Sequence, residues 1–281
     1  MKRLLPSILL VGTIVVTAIA QEGKALYSGP LGVQAFTFRN YFPKDFIATL
    51  DTISSMGFTE IEGGNSSVSA DDYRRLCEER GISIPSIGAS FDQLVEDPKS
   101  LAERAKALGA NYVMCAWVPH ERGNFTKADA DKAIEVFMEA GKVLAEHNVT
   151  LCYHFHGYEF QPHGQGTLLD YIIEQTDPKY VNFEMDIMWI HFGGGDPVGL
   201  MKKYPNRWKL LHLKDLKKGT PKDLTGGTNK EFNVVLGQGE LDMPAIMKTA
   251  QEIGIKHYFI EDESSRIYEQ IPKSIAYLRG M

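Results

Sequence analysis

Residues 150–156 read Thr-Leu-Cys-Tyr-His-Phe-His and residues 181–186 read Val-Asn-Phe-Glu-Met-Asp. Polar and apolar side chains alternate in both, the two-residue period of an extended strand whose two faces meet different surroundings. Cys152, His154 and His156 then share one face, with Leu151, Tyr153 and Phe155 on the other. Asn182, Glu184 and Asp186 likewise lie opposite Val181, Phe183 and Met185. The spacing recurs where His212 and Lys214 alternate with Leu211 and Leu213, where Phe259 and Glu261 alternate with Tyr258 and Ile260, and where Glu60 and Glu62 flank Ile61. Glu159 follows His156 by three residues.

Glu159, Asp186, His212 and Glu261 therefore fall at or just past the ends of four consecutive strand-like runs. Packing alone does not call for this. Three carboxylates in one concave, partly desolvated site repel one another unless a cation sits among them. One divalent metal ion is the simplest cation. Three carboxylates and an imidazole suit Mn2+, Co2+ or Mg2+, and Zn2+ is also compatible, so the identity of the ion stays open. Such an ion, chelating a carbonyl and the neighbouring hydroxyl of a sugar, acidifies the adjacent C–H. Glu159 and Glu261 are the candidate acid/base pair, Lys214 the cation that stabilises an enediolate, and His156 a proton shuttle. His154 and Glu62 are candidates for holding the substrate, while Trp189 is either a stacking ring or a buried structural one. Glu60, Glu184 and His257 are read as structural, and His120, His147 and His163 as loop or surface residues.

These side chains converge only if the strands carrying them lie side by side. Strand patterns at 31–38, 59–62, 82–89, 110–117, 149–156, 180–186, 209–214 and 257–261 alternate with helical patterns at 43–56, 70–80, 98–108, 127–146, 167–175, 197–203, 243–253 and 266–278. This is the rhythm of βαβ units and a parallel sheet. Eight pairs fit a single-domain α/β (β/α)8 TIM barrel over residues 31–281 better than an open sheet, and a barrel presents its chemistry at the C-terminal ends of its strands. The long irregular stretch 217–240 is then a loop over that face.

The chain has 281 residues, 43% of them hydrophobic, and a formal charge of -6. That balance lacks the basic footprint of a nucleic-acid binder. Met1-Lys2-Arg3, the apolar run 8–20 and the Ala18-Ile19-Ala20 exit read as a secretory signal over residues 1–20, too short to span a bilayer, followed by an N-terminal extension at 21–30. The expectation is an exported enzyme, periplasmic or extracellular, off the membrane once cleaved, acting on a small carbohydrate, and open to homo-oligomer formation. Cys77, Cys115 and Cys152 are too few for a disulfide framework.

The stretches LGVQAFTFR, GFTEIEGG, LCYHFHGYEF, MDIMWIHFGGGDP, LLHLKD, LGQGELDMPAI and HYFIEDE, in that order, resemble the xylose isomerase-like TIM-barrel family of sugar phosphate isomerases and epimerases, from about residue 31 to 263. The resemblance implies metal ligands after strands five to eight, which map to Glu159, Asp186, His212 and Glu261, with His156 as the alternative at strand five. The chain departs from the family's usual strand-five His-Asn-His at Phe155 and from its strand-eight Glu-x-Asp at Glu263. The resemblance implies a metal-dependent sugar isomerase or epimerase. A lyase that removes the C2 proton of a 3-keto-glycoside is the second reading, a non-catalytic carbohydrate-binding barrel the third, and an endonuclease is disfavoured by charge.

Overall fold

A computed structural model describes residues 25–64 and 68–281. The signal expected at residues 1–20 lies outside them. Among the described residues no helix is long and apolar enough to cross a membrane. Eight parallel strands close a barrel: β1 (Gly32–Gln34), β2 (Glu60–Glu62), β3 (Ser83–Ala89), β4 (Tyr112–Cys115), β5 (Thr150–His154), β6 (Val181–Asp186), β7 (Trp208–Leu213) and β8 (His257–Ile260). The order around it is β1-β8-β7-β6-β5-β4-β3-β2, so β8 returns to pair with β1. This is a single-domain TIM barrel.

The surrounding helices are α1 (Phe46–Ser55), α2 (Ala70–Glu78), α3 (Phe91–Glu96), α4 (Pro98–Leu108), α5 (Lys127–Glu146), α6 (Leu168–Gln175), α7 (Ile187–Phe192), α8 (Pro197–Lys203), α9 (Met243–Glu252) and α10 (Ile267–Arg279). Short polar residues start them. The side chains of Asp45, Ser69, Thr126 and Asp242 accept from the first-turn N–H groups of Ala48, Asp72, Asp129 and Ala245, which would otherwise be unsatisfied. Outward strand residues such as Val33, Ile61, Leu151, Phe183 and Leu211 are fully buried under the helices and form the main core.

The barrel interior is built in layers. Near the N-terminal ends, His257 Nδ1 meets Glu60 at 3.0 and 3.1 Å. Above that pair, Cys152, Leu210 and Phe259 form a small apolar plug. Gly32 is required at this level, because a Cβ there would lie 2.4 Å from the Phe259 ring. The next layer is polar and carries the site. Cys77, Cys115 and Cys152 are all free and buried.

Several boundaries differ from the sequence expectation. The strand expected at 31–38 stops at Gln34, whose side-chain oxygen accepts from Phe36 N at 3.1 Å and starts a 3-10 turn over Ala35–Phe38. The strand expected at 149–156 stops at His154. Helices α3 and α7 were not expected. α7 reads Ile-Met-Trp-Ile-His-Phe and is buried nearly all round, so it has no polar face to reveal a helical period. The 217–240 stretch carries a hairpin, Asp215–Leu216 against Asn233–Val234. The buried Asp215 carboxylate accepts from Gly237 N at 2.9 Å and Gly239 N at 3.0 Å, pinning that loop. The extension is tied down where described: Leu26 N and Tyr27 N both donate to Leu278 O, and Tyr27 packs on Tyr258.

Candidate metal centre

The polar layer is centred on His212, at the end of β7. Strand register puts Asp186 and Phe259 beside it on its two neighbours. His212 Nε2 lies 2.5 Å from Glu62 Oε2 and 3.2 Å from Glu184 Oε1. Gln34 donates to the same Glu62 oxygen at 2.8 Å, and His154 Nδ1 sits 3.0 Å from Glu184 Oε2. With two carboxylates at Nε2, that nitrogen holds a proton, and Nδ1 is the atom that faces the barrel mouth. There it meets Glu261 Oε2 at 3.3 Å and Asp186 Oδ2 at 3.9 Å.

Asp186 does two jobs with two oxygens. Its Oδ1 caps α7, accepting from Met188 N at 2.8 Å and Trp189 N at 3.0 Å. Its Oδ2 is buried with no hydrogen-bond partner, as is His212 Nδ1. Buried polar atoms are rarely left without a partner. Asp186, His212 and Glu261 each present one donor atom within 4.8 Å of the others. His154, Glu184 and His212 form a second such group; it lies deeper, with His154 Nδ1 3.0 Å from Glu184 Oε2, and its Glu184 Oε1 is likewise buried without a hydrogen-bond partner.

The electrostatics also call for a cation. Burial pushes Glu184 up to about 8, a rise reinforced by the neighbouring Glu62. Burial raises Asp186 to about 6, against the pull of Lys214 and His212. Burial opposes charge on His212, but the Glu184 and Glu62 carboxylates hold it well above its ordinary value. Burial also disfavours the Glu261 carboxylate, and Lys214 and His212 overcome this to hold it well below its usual range. A metal cation at Asp186 Oδ2, His212 Nδ1 and Glu261 fits this donor set, and on binding it would release the Nδ1 proton. Two carboxylates and an imidazole suit a hard-to-borderline divalent ion.

Lys214 is buried between Glu261 at 3.2 Å and Glu263 at 2.6 Å, with its Nζ 5.6 Å from the Trp189 ring centroid. Glu263 also pairs with Lys230 at 3.0 Å. Lys214 is thus held behind the two glutamates. Glu159 is not brought to this group. Gly157, at φ 88°, reverses the chain after β5, and a 3-10 turn carries Glu159 back to the helix side of the strand. There it accepts from the outward-facing Tyr153 hydroxyl and from His156 N. Burial pushes Glu159 up to about 7.

A cavity of about 790 Å³ opens over the cluster, lined among others by His154, His156, Trp189, His212, Glu261 and Glu263. His156 Nδ1 is buried without a partner, and burial lowers its pKa to about 4, so the imidazole is neutral. Trp189 is only 5% exposed and stands 5.2 Å from the His156 ring. Residues not singled out from sequence also line the cavity, notably Gln34, Phe36, Trp117 and the Gly226–Thr228 segment. Trp117 sits just past β4, a position the barrel rule marks.

A family model described as a xylose isomerase-like TIM barrel matches residues 50–281. The chain belongs to that family. This xylose isomerase-like barrel is 26% identical to a sugar phosphate isomerase/epimerase from Parabacteroides distasonis, with a TM-score of 0.75 over 90% of this chain and 95% of that one. It shares its fold with the IOLI protein, solved with a bound zinc atom, at 18% identity and a TM-score of 0.69, covering 89% of this chain and 95% of that one. An inosose dehydratase of Geobacillus thermodenitrificans is 23% identical over 247 residues, 76% of this chain and 80% of the relative. That of Clostridium tetani is 32% identical over 103 residues, only 36% of this chain and 34% of the relative.

Proposed function

We propose that the protein is a divalent-metal-dependent sugar isomerase or epimerase that removes the proton next to a carbonyl and passes through an enediolate. The observation that carries this reading is the pair of buried, unpartnered atoms, Asp186 Oδ2 and His212 Nδ1, beside Glu261 beneath a cavity of about 790 Å³. Asp186, His212 and Glu261 would hold the ion, a three-donor set that leaves positions for substrate oxygens. Bound there, a divalent ion polarises the carbonyl and acidifies the neighbouring C–H.

The chain's own groups supply the remaining work. The α7 backbone fixes Asp186 through Oδ1, so Oδ2 needs no reorganisation. Glu62 and Glu184 hold the Nε2 proton of His212 and orient its ring, as partners of metal-binding imidazoles commonly do. Neutral His156, with a free Nδ1 on the cavity wall, is positioned to take the substrate proton and return it. Lys214 keeps Glu261 and Glu263 ionised. His154 and Trp189 border the space for the sugar ring.

Elimination is the second reading, favoured by the relatives named inosose dehydratases. On a 3-keto-glycoside the C2–H bond breaks, its electron pair forms a C1–C2 double bond, and the C1–O bond breaks. The aglycone leaves as an alcohol after taking up a proton. If the export expected from residues 1–20 holds, free sugars and glycosides are the accessible substrates. The test is product analysis by NMR after incubation with ketoses and 3-keto-glucosides. A rearranged sugar marks isomerisation, and a released aglycone marks elimination. Turnover of no carbonyl sugar by metal-loaded protein would overturn the reading.

A further inference from the structure

The upper part of the cavity carries two large exposed aromatics that the metal cluster does not explain. Trp117, just past β4, is 41% exposed, and Phe36, just past β1, is 46% exposed. Both line the cavity, and their strands stand three places apart in the barrel order. Exposed aromatics of this size are not needed for the fold.

Trp117 is a braced ring. His120 lies against it at 4.9 Å, with planes inclined by 31°, and Tyr158 backs His120 at 4.0 Å. His120 is fixed in turn, its Nδ1 2.8 Å from Val118 O, and the Tyr158 hydroxyl accepts from Val118 N at 3.0 Å. The 217–240 loop closes on the same spot. At Gly226 a Cβ would lie 2.5 Å from the Tyr158 ring and 3.4 Å from Trp117, so only glycine lets the loop seat there. Below, the Trp117 centroid is 5.7 Å from that of His156, which borders the metal cluster. Trp117 and the cluster residues His212 and Glu261 thus line one continuous cavity, with His156 against the Trp117 ring. Phe36 is flanked by the Arg39 guanidinium at 4.5 Å and, from the 217–240 loop, by the Lys230 ammonium at 4.8 Å.

We infer that Trp117, supported by Phe36, forms a second subsite that stacks a ring on the aglycone side, so that the substrate is a glycoside with a ring-bearing aglycone rather than a lone monosaccharide. The inference rests on the second of the two proposed reactions, that on a 3-keto-glycoside, for the identity of the inner ring. The volume agrees, since about 790 Å³ falls in the range of roughly 300–1,000 Å³ that accommodates drug-sized ligands. A rigid, pre-placed ring loses little entropy on binding, which favours stacking at this position.

The test is calorimetric binding of methyl and 4-nitrophenyl β-glucosides to metal-loaded wild type, Trp117→Ala and Trp117→Phe, with melting curves to establish that the variants fold. Wild type is expected to bind the aryl glucoside about tenfold more tightly than the methyl glucoside. Trp117→Ala should erase that preference, and Trp117→Phe should retain most of it. Equal affinity of wild type for the two glucosides, or a preference that survives in Trp117→Ala, would overturn the subsite. Deuterium uptake from D2O into a 3-keto-glucoside reports on the chemistry separately. A Trp117-dependent preference without uptake would keep the subsite and overturn the proposed reaction; uptake without the preference would do the reverse.

Discussion

The double duty of Asp186 can be separated by two substitutions. Asp186→Asn keeps an Oδ1 that accepts from Met188 N and Trp189 N, now held at 2.8 and 3.0 Å, but it removes the anionic partner oxygen. Asp186→Ala removes both. Each variant is uncharged at this position, so the stability difference between them in the metal-free state reports the cap and its packing rather than the buried charge. A lost cap costs about 0.5–2 kcal/mol. For a chain of this size that is roughly 1–8 °C at about 2–4 °C per kcal/mol, with Asp186→Ala melting lower. Adding a divalent ion at 100 times its Kd should stabilise wild type by about 2.7 kcal/mol, and should move neither variant appreciably. The assay is thermal unfolding followed by circular dichroism, with chelator and then with Mn2+, Co2+ or Zn2+. Equal melting of the two metal-free variants would refute the capping role. A metal-induced rise in Asp186→Asn matching that of wild type would refute the role of Oδ2.

Further outcomes follow from the same contacts. Lys214→Met takes the ammonium from the buried Glu261 and leaves the half-buried Glu263 with Lys230 alone, and should cost about 3–5 kcal/mol in denaturant unfolding. Glu159, raised to about 7 in the folded protein, contributes stability that is present below its unfolded value near 4.5 and is lost as pH rises through 7. Wild type should therefore lose about 3 kcal/mol relative to Glu159→Gln between those limits, at 1.36 kcal/mol per unit; parallel pH–stability curves would contradict this, and metal content should be the same in both. Gly32→Ala drives a methyl to 2.4 Å from the Phe259 ring in the barrel interior, and chemical denaturation should show a loss of about 1–3 kcal/mol.

The barrel and the facing of its strands were legible because two-residue alternation is strong in β5 to β8, where outward residues are apolar and inward ones ionisable. The order of Asp186, His212 and Glu261 at successive strand ends was legible for the same reason. Glu159 was not, because alternation holds only to His154; Gly157 then turns the chain, and positions beyond it follow turn geometry. Helix α7 escaped because burial on all sides removed its amphipathic period. The engagement of Glu62 and Glu184 with His212 depends on strand register across the barrel, which one sequence does not encode locally. Trp117 lay at a strand end where the barrel rule pointed, but an isolated Trp carries no sign of whether it is covered or exposed.

Solvent exchange at the substrate carbon tests the central claim most directly. The protein, stripped with chelator and then reloaded with one divalent ion, is incubated in D2O with a ketose or a 3-keto-glucoside, and deuterium next to the carbonyl is read by mass spectrometry and NMR. Uptake by the loaded protein, its loss on stripping, and its absence in Asp186→Asn are the predicted results. Equal uptake by the stripped protein, or none by folded, metal-loaded wild type with any carbonyl sugar, would contradict a metal-assisted proton abstraction at Asp186, His212 and Glu261.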